Sequence, residues 1–225
     1  MIKEIRVAGV TLGNYTTRES LMKIDKAFYE EKFTTVEEIN MRSLFLAGED
    51  EIVKNIIEAV DITIITETGI LDVAGEHSLH RKHEVEENEF FFQFLRRIER
   101  NSKRVLFLGE TEEETALAKS FIEEEFPRVI ICKTLALEDY KGDEDAVVNE
   151  INAEAVDVII SILSSPRQEY FLADHKDKLS ARIWYGVGED KFVKPKGRIT
   201  KNFIKLFRVK KLMQYIRRYE KEKEM

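Results

Sequence analysis

Short β-branched runs alternate with longer amphipathic segments along almost the whole chain, and this alternation constrains the fold more than any other feature. The strand-like runs are 5–10, 35–41, 62–66, 104–109, 128–133, 156–163 and 183–187. The helix-like segments are 17–31, 49–59, 88–101, 112–126, 144–151, 167–179 and 200–222. Strands separated by helices build βαβ units, and βαβ units build a parallel sheet covered on both sides. The pattern therefore predicts an α/β fold: a Rossmann-like, mainly parallel sheet with helices on both faces, plus a basic C-terminal helical tail. Thr111 and Glu114 have the spacing of a capping box, and Pro127 stops the helix that follows them. Residues 71–89, rich in His, Glu and Gly, break the pattern and read as a long irregular segment. No internal repeat is present.

The chain has 225 residues, 43% of them hydrophobic and 35% charged, enough apolar material for one well-cored domain. Cys132 is the only cysteine, which rules out an intrachain disulfide. Its apolar surroundings, Val129-Ile130-Ile131, predict a buried, inert thiol. The segment Met1-Ile2-Lys3-Glu4 carries no apolar signal region, and no apolar run reaches the roughly 18 residues of a membrane span. These features lead us to expect a cytoplasmic protein.

Charge divides the chain. Residues 191–225 hold 13 of the 36 Lys and Arg residues but only 3 of the 43 Asp and Glu. That segment is net +10, against −17 for residues 1–190, and no acidic residue occurs between Lys191 and Tyr219. Ile199, Phe203, Leu206, Val209, Met213 and Ile216 recur at three or four residues and form an apolar stripe with a basic surround. Such a helix suits an anionic membrane surface, where each basic residue contributes about 1 kcal/mol. Lys201, Phe203, Lys205, Phe207, Arg208 and Lys211 are the expected membrane contacts. Packing of the same stripe on the acidic body or on a partner subunit is the other reading. The acidic body argues against nucleic acid. The expected division is a domain over 1–190 and an appendage over 191–225.

The stretch Ser164-Ser165-Pro166-Arg167-Gln168-Glu169 follows a buried-strand pattern and opens a helix pattern. In open parallel sheets ligands bind at such carboxyl ends, where first-turn N–H groups point into the crevice. Ser165 is expected to cap the helix, with Pro166 at its first position. Gln168 brings an amide that both donates and accepts. Spacing alone reads equally as a well-capped helix. Gly109, at the end of another strand, fits either close backbone approach to a ligand or a plain turn. His77, His80 and His83 lie three apart, but Gly75 and mixed charges favour loop over a metal site. Asp143-Glu144-Asp145 reads as an acidic first turn facing the helix dipole.

Ser-Pro-Arg-Gln-Glu after a buried strand resembles the S-P-K-Q-E signature of the WecG/TagA/CpsF glycosyltransferase family. Other segments agree in order and spacing over about residues 1–190. Asn40 resembles the family's early Asn, and Ile62–Gly69 its "aDG" segment. Arg104–Gly109 resembles "rvfllGg", Asn152 and Asp157 its Asn before the "pDv" strand, and Trp184–Gly188 its "gVGg" strand end. The resemblance implies metal-independent, inverting transfer of an N-acetylmannosamine-type sugar from a UDP-sugar to a polyprenyl-diphosphate-linked acceptor. It implies envelope polysaccharide or teichoic acid synthesis, with the protein peripheral at the inner face of the plasma membrane. It leaves homo-oligomerisation open. It places substrate at Asn40, Thr68, Gly69, Gly109, Ser165, Gln168, Glu169, Gly186 and Gly188, with Gln168 in a catalytic role; Glu67 is the local carboxylate expected to take the base role.

The chain departs from the family's pattern where chemistry is expected. Thr68 stands in place of the "aDG" Asp, Glu38 in place of a Thr two residues before Asn40, and Glu84 near the family's Arg. Glu110 replaces its second Gly, its "GyF" glycine is missing near Ala136–Tyr140, and its "RAP" segment is not recognisable around Lys194–Arg198. Thr68 cannot serve as a general base near neutral pH. Glu67 can, if the turn before Gly69 aims it into the cleft. The alternative is a catalytically degenerate homologue acting as a binding or scaffold subunit.

Overall fold

The computed structural model describes residues 3–188 together with Lys191 and Phe192. Its centre is a six-stranded sheet in which every neighbouring pair is parallel. The chain begins with β1 (Glu4–Val7) and β2 (Val10–Gly13), then α1 (Thr17–Glu30) and β3 (Thr34–Ile39). Next come α2 (Met41–Glu49), α3 (Glu51–Ala59), β4 (Ile62–Ile65), α4 (Thr68–Val73), α5 (Leu79–Glu86) and α6 (Glu89–Arg100). The second half runs β5 (Arg104–Gly109), α7 (Glu112–Glu125), β6 (Ile130–Ala136), α8 (Glu144–Ala153), β7 (Val158–Ser161), α9 (Arg167–His175) and β8 (Ile183–Gly186). The strand order is β4-β3-β8-β7-β5-β6.

The expected parallel sheet with helices on both faces is what forms. One face carries Val36, Ile64, Phe107, Ile160 and Tyr185 against α1, α6 and α7. The other carries Leu106, Leu108, Ile159 and Trp184 against α8 and α9. A third cluster joins Ile39 and Ile65 at the strand ends to β1, β2 and α2–α5. Strands buried on both faces need apolar residues at every position, which explains continuous runs such as Val158–Ile160.

Several expected elements come out differently. Residues 5–10 are not one strand. Ala8 and Gly9 both take left-handed backbone angles, φ 53° and 79°, and fold the chain into the antiparallel hairpin β1–β2. Two consecutive left-handed residues make the hairpin turn whose twist matches its strands. The strand expected over 35–41 stops at Ile39, because Asn40 caps α2 with a reciprocal Asn40–Ser43 box. Residues 71–89 are mostly helical: α4 and α5 occupy this stretch, and Ser78 caps the second. β6 extends three residues beyond Lys133. It is an edge strand with a register irregularity at Cys132, so that thiol is half-buried rather than fully enclosed. The Thr111–Glu114 box forms as expected. The expected helix over 200–222, with the membrane contacts assigned to it, lies outside the described residues.

Candidate functional site at the carboxyl edge of the sheet

A parallel sheet delivers all its strand ends to one edge. The connection leaving β5 runs outward to β6, and the one leaving β7 runs the opposite way to β8, so the crevice between β5 and β7 is a topological switch point. Asn40, Glu67, Glu110, Ser164, Ser165 and Val187 follow the strands onto this edge.

Asn40 is held by its own helix. Its Oδ1 accepts the Ser43 N–H at 2.9 Å, and its N–H donates to Ser43 Oγ at 3.1 Å. The next N–H, of Met41, donates to the Glu67 carboxylate at 3.3 Å. Glu67 is thus turned toward the β3 end and the first turn of α2, the side on which Asn40 lies. Thr68 and Gly69 begin α4 and are buried. Arg42 reaches from α2 toward the β7 end, where its guanidinium donates to the Ser165 carbonyl at 3.5 Å. The ends of β3, β4 and β7 are therefore bridged through one helix start.

The start of α9 differs from expectation. The Ser165–Pro166 peptide is cis, Pro166 is itself the cap residue, and α9 begins at Arg167 without a side-chain cap. Ser165 Oγ instead donates to the Glu169 carboxyl at 2.5 Å. Gln168 is buried, and its amide meets Glu37 of β3. The other Glu37 oxygen accepts the Trp184 indole N–H at 2.8 Å. A Cβ on Gly186 would lie 2.1 Å from Glu37 Oε2 and 2.4 Å from Gln168 Nε2, so only glycine leaves room for this pair. Burial, then the nearby Glu169, pushes the Glu37 carboxyl well above the carboxylate range; Trp184 and Gln168 offset part of that. Burial likewise raises Glu169, against the opposing Ser165 hydrogen bond. Gln168 Oε1 and Glu169 Oε2 are buried without a hydrogen-bond partner.

At the switch point the protein's own carboxylates take the strand-end N–H groups. The Glu110 carboxylate accepts the Ser164 N–H at 3.0 Å and also the Ser164 hydroxyl. Glu114 accepts the N–H groups of Glu110 and Thr111, both at 3.1 Å, and Glu138 accepts that of Glu112 at 2.8 Å. Gly109 has a packing reason: a Cβ there would lie 2.8 Å from Thr115 Cγ2 and 3.1 Å from Ile162.

On the opposite face Glu38 is sealed in. It accepts the Tyr185 hydroxyl at 2.5 Å and the Lys191 ammonium at 2.5 and 2.7 Å. Lys191 also donates to Asn88 Oδ1 at 2.9 Å and lies 4.4 Å over the Phe91 ring. Burial lowers the Lys191 pKa, and Glu38 opposes that shift. Phe192 follows into an aromatic cluster with Phe91, Phe107 and Phe121. Glu84 pairs with Arg81 at 3.2 Å in a buried network with Asn14 and Glu76. His77, His80 and His83 are exposed, and no group of metal-holding residues occurs among the described residues. Asn152 acts structurally, clasping Lys178 O and Ser180 N, each at 2.8 Å.

The edge thus brings together Asn40, Glu67 and Ser165 through the first turn of α2, Ser165 and Glu169 through their hydrogen bond, and Gln168 and Gly186 through Glu37. Gly188 takes a left-handed backbone with open space beside it. Sequence reasoning passed over Arg42, Glu37 and Lys191.

Such a mainly parallel sheet flanked by helices, with polar side chains gathered at its carboxyl edge, defines an α/β protein of the Rossmann-like kind. The chain belongs to the WecG/TagA/CpsF glycosyl transferase family, whose profile matches residues 5–189. No curated protein sequence matches the chain. No described helix is long and apolar enough to cross a membrane.

Proposed function

We propose that the protein transfers an N-acetylmannosamine-type sugar from a UDP-sugar to a polyprenyl-diphosphate-linked acceptor at the cytoplasmic membrane face. The observation that carries the reading is the orientation of Glu67. Its carboxylate accepts the Met41 N–H at 3.3 Å, at the first turn of α2 and next to the Asn40 cap, which supports a base at this strand end. In this mechanism Glu67 takes the proton of the acceptor hydroxyl. The freed oxygen attacks the anomeric carbon, the bond to the diphosphate breaks, and UDP leaves with the anomeric centre inverted. Arg42 is the cation nearest the donor's diphosphate, with Asn40, Thr68, Gly69, Ser165, Gln168, Gly186 and Gly188 shaping the pocket. No metal enters the reaction. The basic tail supplies membrane contact, placing the protein in envelope polysaccharide or teichoic acid synthesis.

A second reading is favoured by Glu110 and Glu38. One carboxylate fills the switch point and the other, where the family carries Thr, is spent on Lys191. Both fit a degenerate homologue that binds or scaffolds. Turnover of UDP-sugars with a lipid acceptor separates the readings. Wild-type turnover lost in Glu67→Gln supports the transferase and names its base. A missing base costs about a hundred- to ten-thousand-fold. Turnover seen only in Thr68→Asp establishes the degenerate homologue.

A further inference from the structure

Helix α1 exposes two large apolar side chains that the core does not use: Tyr29 is 88% exposed and Met22 61%. They lie seven residues apart, so they share one face of the helix. Arg18 stands one turn before Met22 on that face, and Asp25 one turn after it. Asp25 pairs with Arg97, which places the stripe beside α6. On α6, Arg96 and Arg100 are exposed and one turn apart. The carboxylates here are mostly answered: on α1, Glu19, Asp25 and Glu30 meet Lys3, Arg97 and Lys26, and on α6, Glu99 meets Arg128. Among the described residues, Arg18, Arg96 and Arg100 meet no carboxylate. Single exposed apolar residues are ordinary, but two on one face with unpaired arginines beside them make a surface both apolar and cationic. It stands out on a body that is net −17 over residues 1–190. Beyond α6, helix α7 exposes Glu112, Glu113 and Glu123–Glu125, so the cationic surface ends at α6 and faces outward on the α1 side.

We propose that this α1–α6 face docks on an anionic lipid surface, with Met22 and Tyr29 entering the interface and Arg18, Arg96 and Arg100 meeting lipid phosphates. A tyrosine suits that depth, because its ring is apolar and its hydroxyl stays wet. Arginine suits the phosphates, which accept its paired N–H groups. A second observation points the same way. Phe192, the last described residue, packs on Phe91 of α6 and Phe121 of α7. The basic segment 193–225 is therefore tethered on the side of the sheet that carries α1 and α6. The proposal deepens the membrane part of the reading above and rests on it: the tail supplies most of the attraction, and the α1–α6 face sets how the body lies. Helices of such a layer run along the strands. With α1 against the surface, the carboxyl edge opens along the membrane instead of away from it.

Vesicles of phosphatidylglycerol and phosphatidylcholine test the proposal on the full chain. A polarity-sensitive fluorophore is attached through Met22→Cys, and in a control through Ile52→Cys, each combined with Cys132→Ser. Ile52 is 52% exposed on α3, across the sheet from α1. Binding should blue-shift the probe at position 22 and leave the probe at position 52 at its emission in water. Without any label, Arg96→Gln with Arg100→Gln should weaken vesicle binding by about tenfold, the scale of two basic residues near an anionic surface. Tyr29→Ser should weaken it several-fold. All these positions are exposed and lie away from the substrate edge. Vesicle binding with no shift at position 22, or with equal shifts at both positions, overturns the proposal. So does wild-type affinity in the arginine variant. Those results leave the tail as the sole membrane contact. A full chain that ignores anionic vesicles overturns both membrane statements, and UDP-sugar turnover then decides the transferase reading separately.

Discussion

Replacing Lys191 by Met should destabilise the protein by about 3–5 kcal/mol, the scale of a broken buried ion pair. The side chains of Lys191 and Glu38 are only 9% and 6% exposed. The ammonium spends its three protons on both Glu38 oxygens and Asn88 Oδ1. Met keeps the stem that packs on Phe91 but leaves Glu38, among the described residues, with the Tyr185 hydroxyl alone. Removing one partner of a buried pair costs about 3–5 kcal/mol. Urea unfolding of wild type, Lys191→Met, Glu38→Gln and the double variant measures it. Most of the loss should return in the double variant, giving a coupling of about 2 kcal/mol or more. A Lys191→Met penalty below about 1 kcal/mol would refute the reasoning.

Because Lys191 and Phe192 pack into the body, a chain ending at Phe192 should keep wild-type stability in urea, whereas one ending at Asp190 should be several kcal/mol weaker, on the order of a broken buried pair plus a lost aromatic contact. Flotation with anionic vesicles should capture the full chain and miss the chain ending at Phe192. Capture should fade with salt, as screening cuts the reach of charge to about 8 Å at physiological ionic strength. Glu110→Gly should tighten UDP binding by about tenfold in calorimetry, since it vacates an anion position where two like charges would otherwise face each other; unchanged affinity would place the diphosphate elsewhere. Glu37 has a folded pKa raised above its unfolded value. Its contribution is full below about pH 4.3 and is lost as pH rises toward the folded pKa. Glu37→Gln should therefore exceed wild type in stability at neutral pH and lose that part of the pH slope in thermal melts.

The alternation of periods was legible because it is local, and so was the Thr111–Glu114 box. The Ala8–Gly9 hairpin was not, since nothing in Ala marks a left-handed residue; the turn is imposed by pairing of the flanking strands. The helix α5 was hidden by its polar composition, and the buried Asn14–Arg81–Glu84–Glu76 network replaces the apolar stripe that periodicity looks for; α4 is too short to show a period. The candidate site was legible as a set of strand ends but not as a set of partners. Residues 34–39 read Thr-Thr-Val-Glu-Glu-Ile, and the observed sheet buries both faces of that strand. Two adjacent glutamates there must point to opposite faces. Each then needs donors, because an unsatisfied buried carboxyl is costly. That much follows from sequence once the strand is placed in the interior. Which donors answer does not: Gln168 and Trp184 meet Glu37, and Tyr185 and Lys191 meet Glu38, all more than 130 residues away. Only the β3–β8 pairing, which joins the first third of the chain to its last described strand, selects them. The same pairing brings the Gln168 amide to Glu37. The most chain-specific part of the site is therefore a product of topology, acting on a pair of residues that sequence alone marks as unfinished.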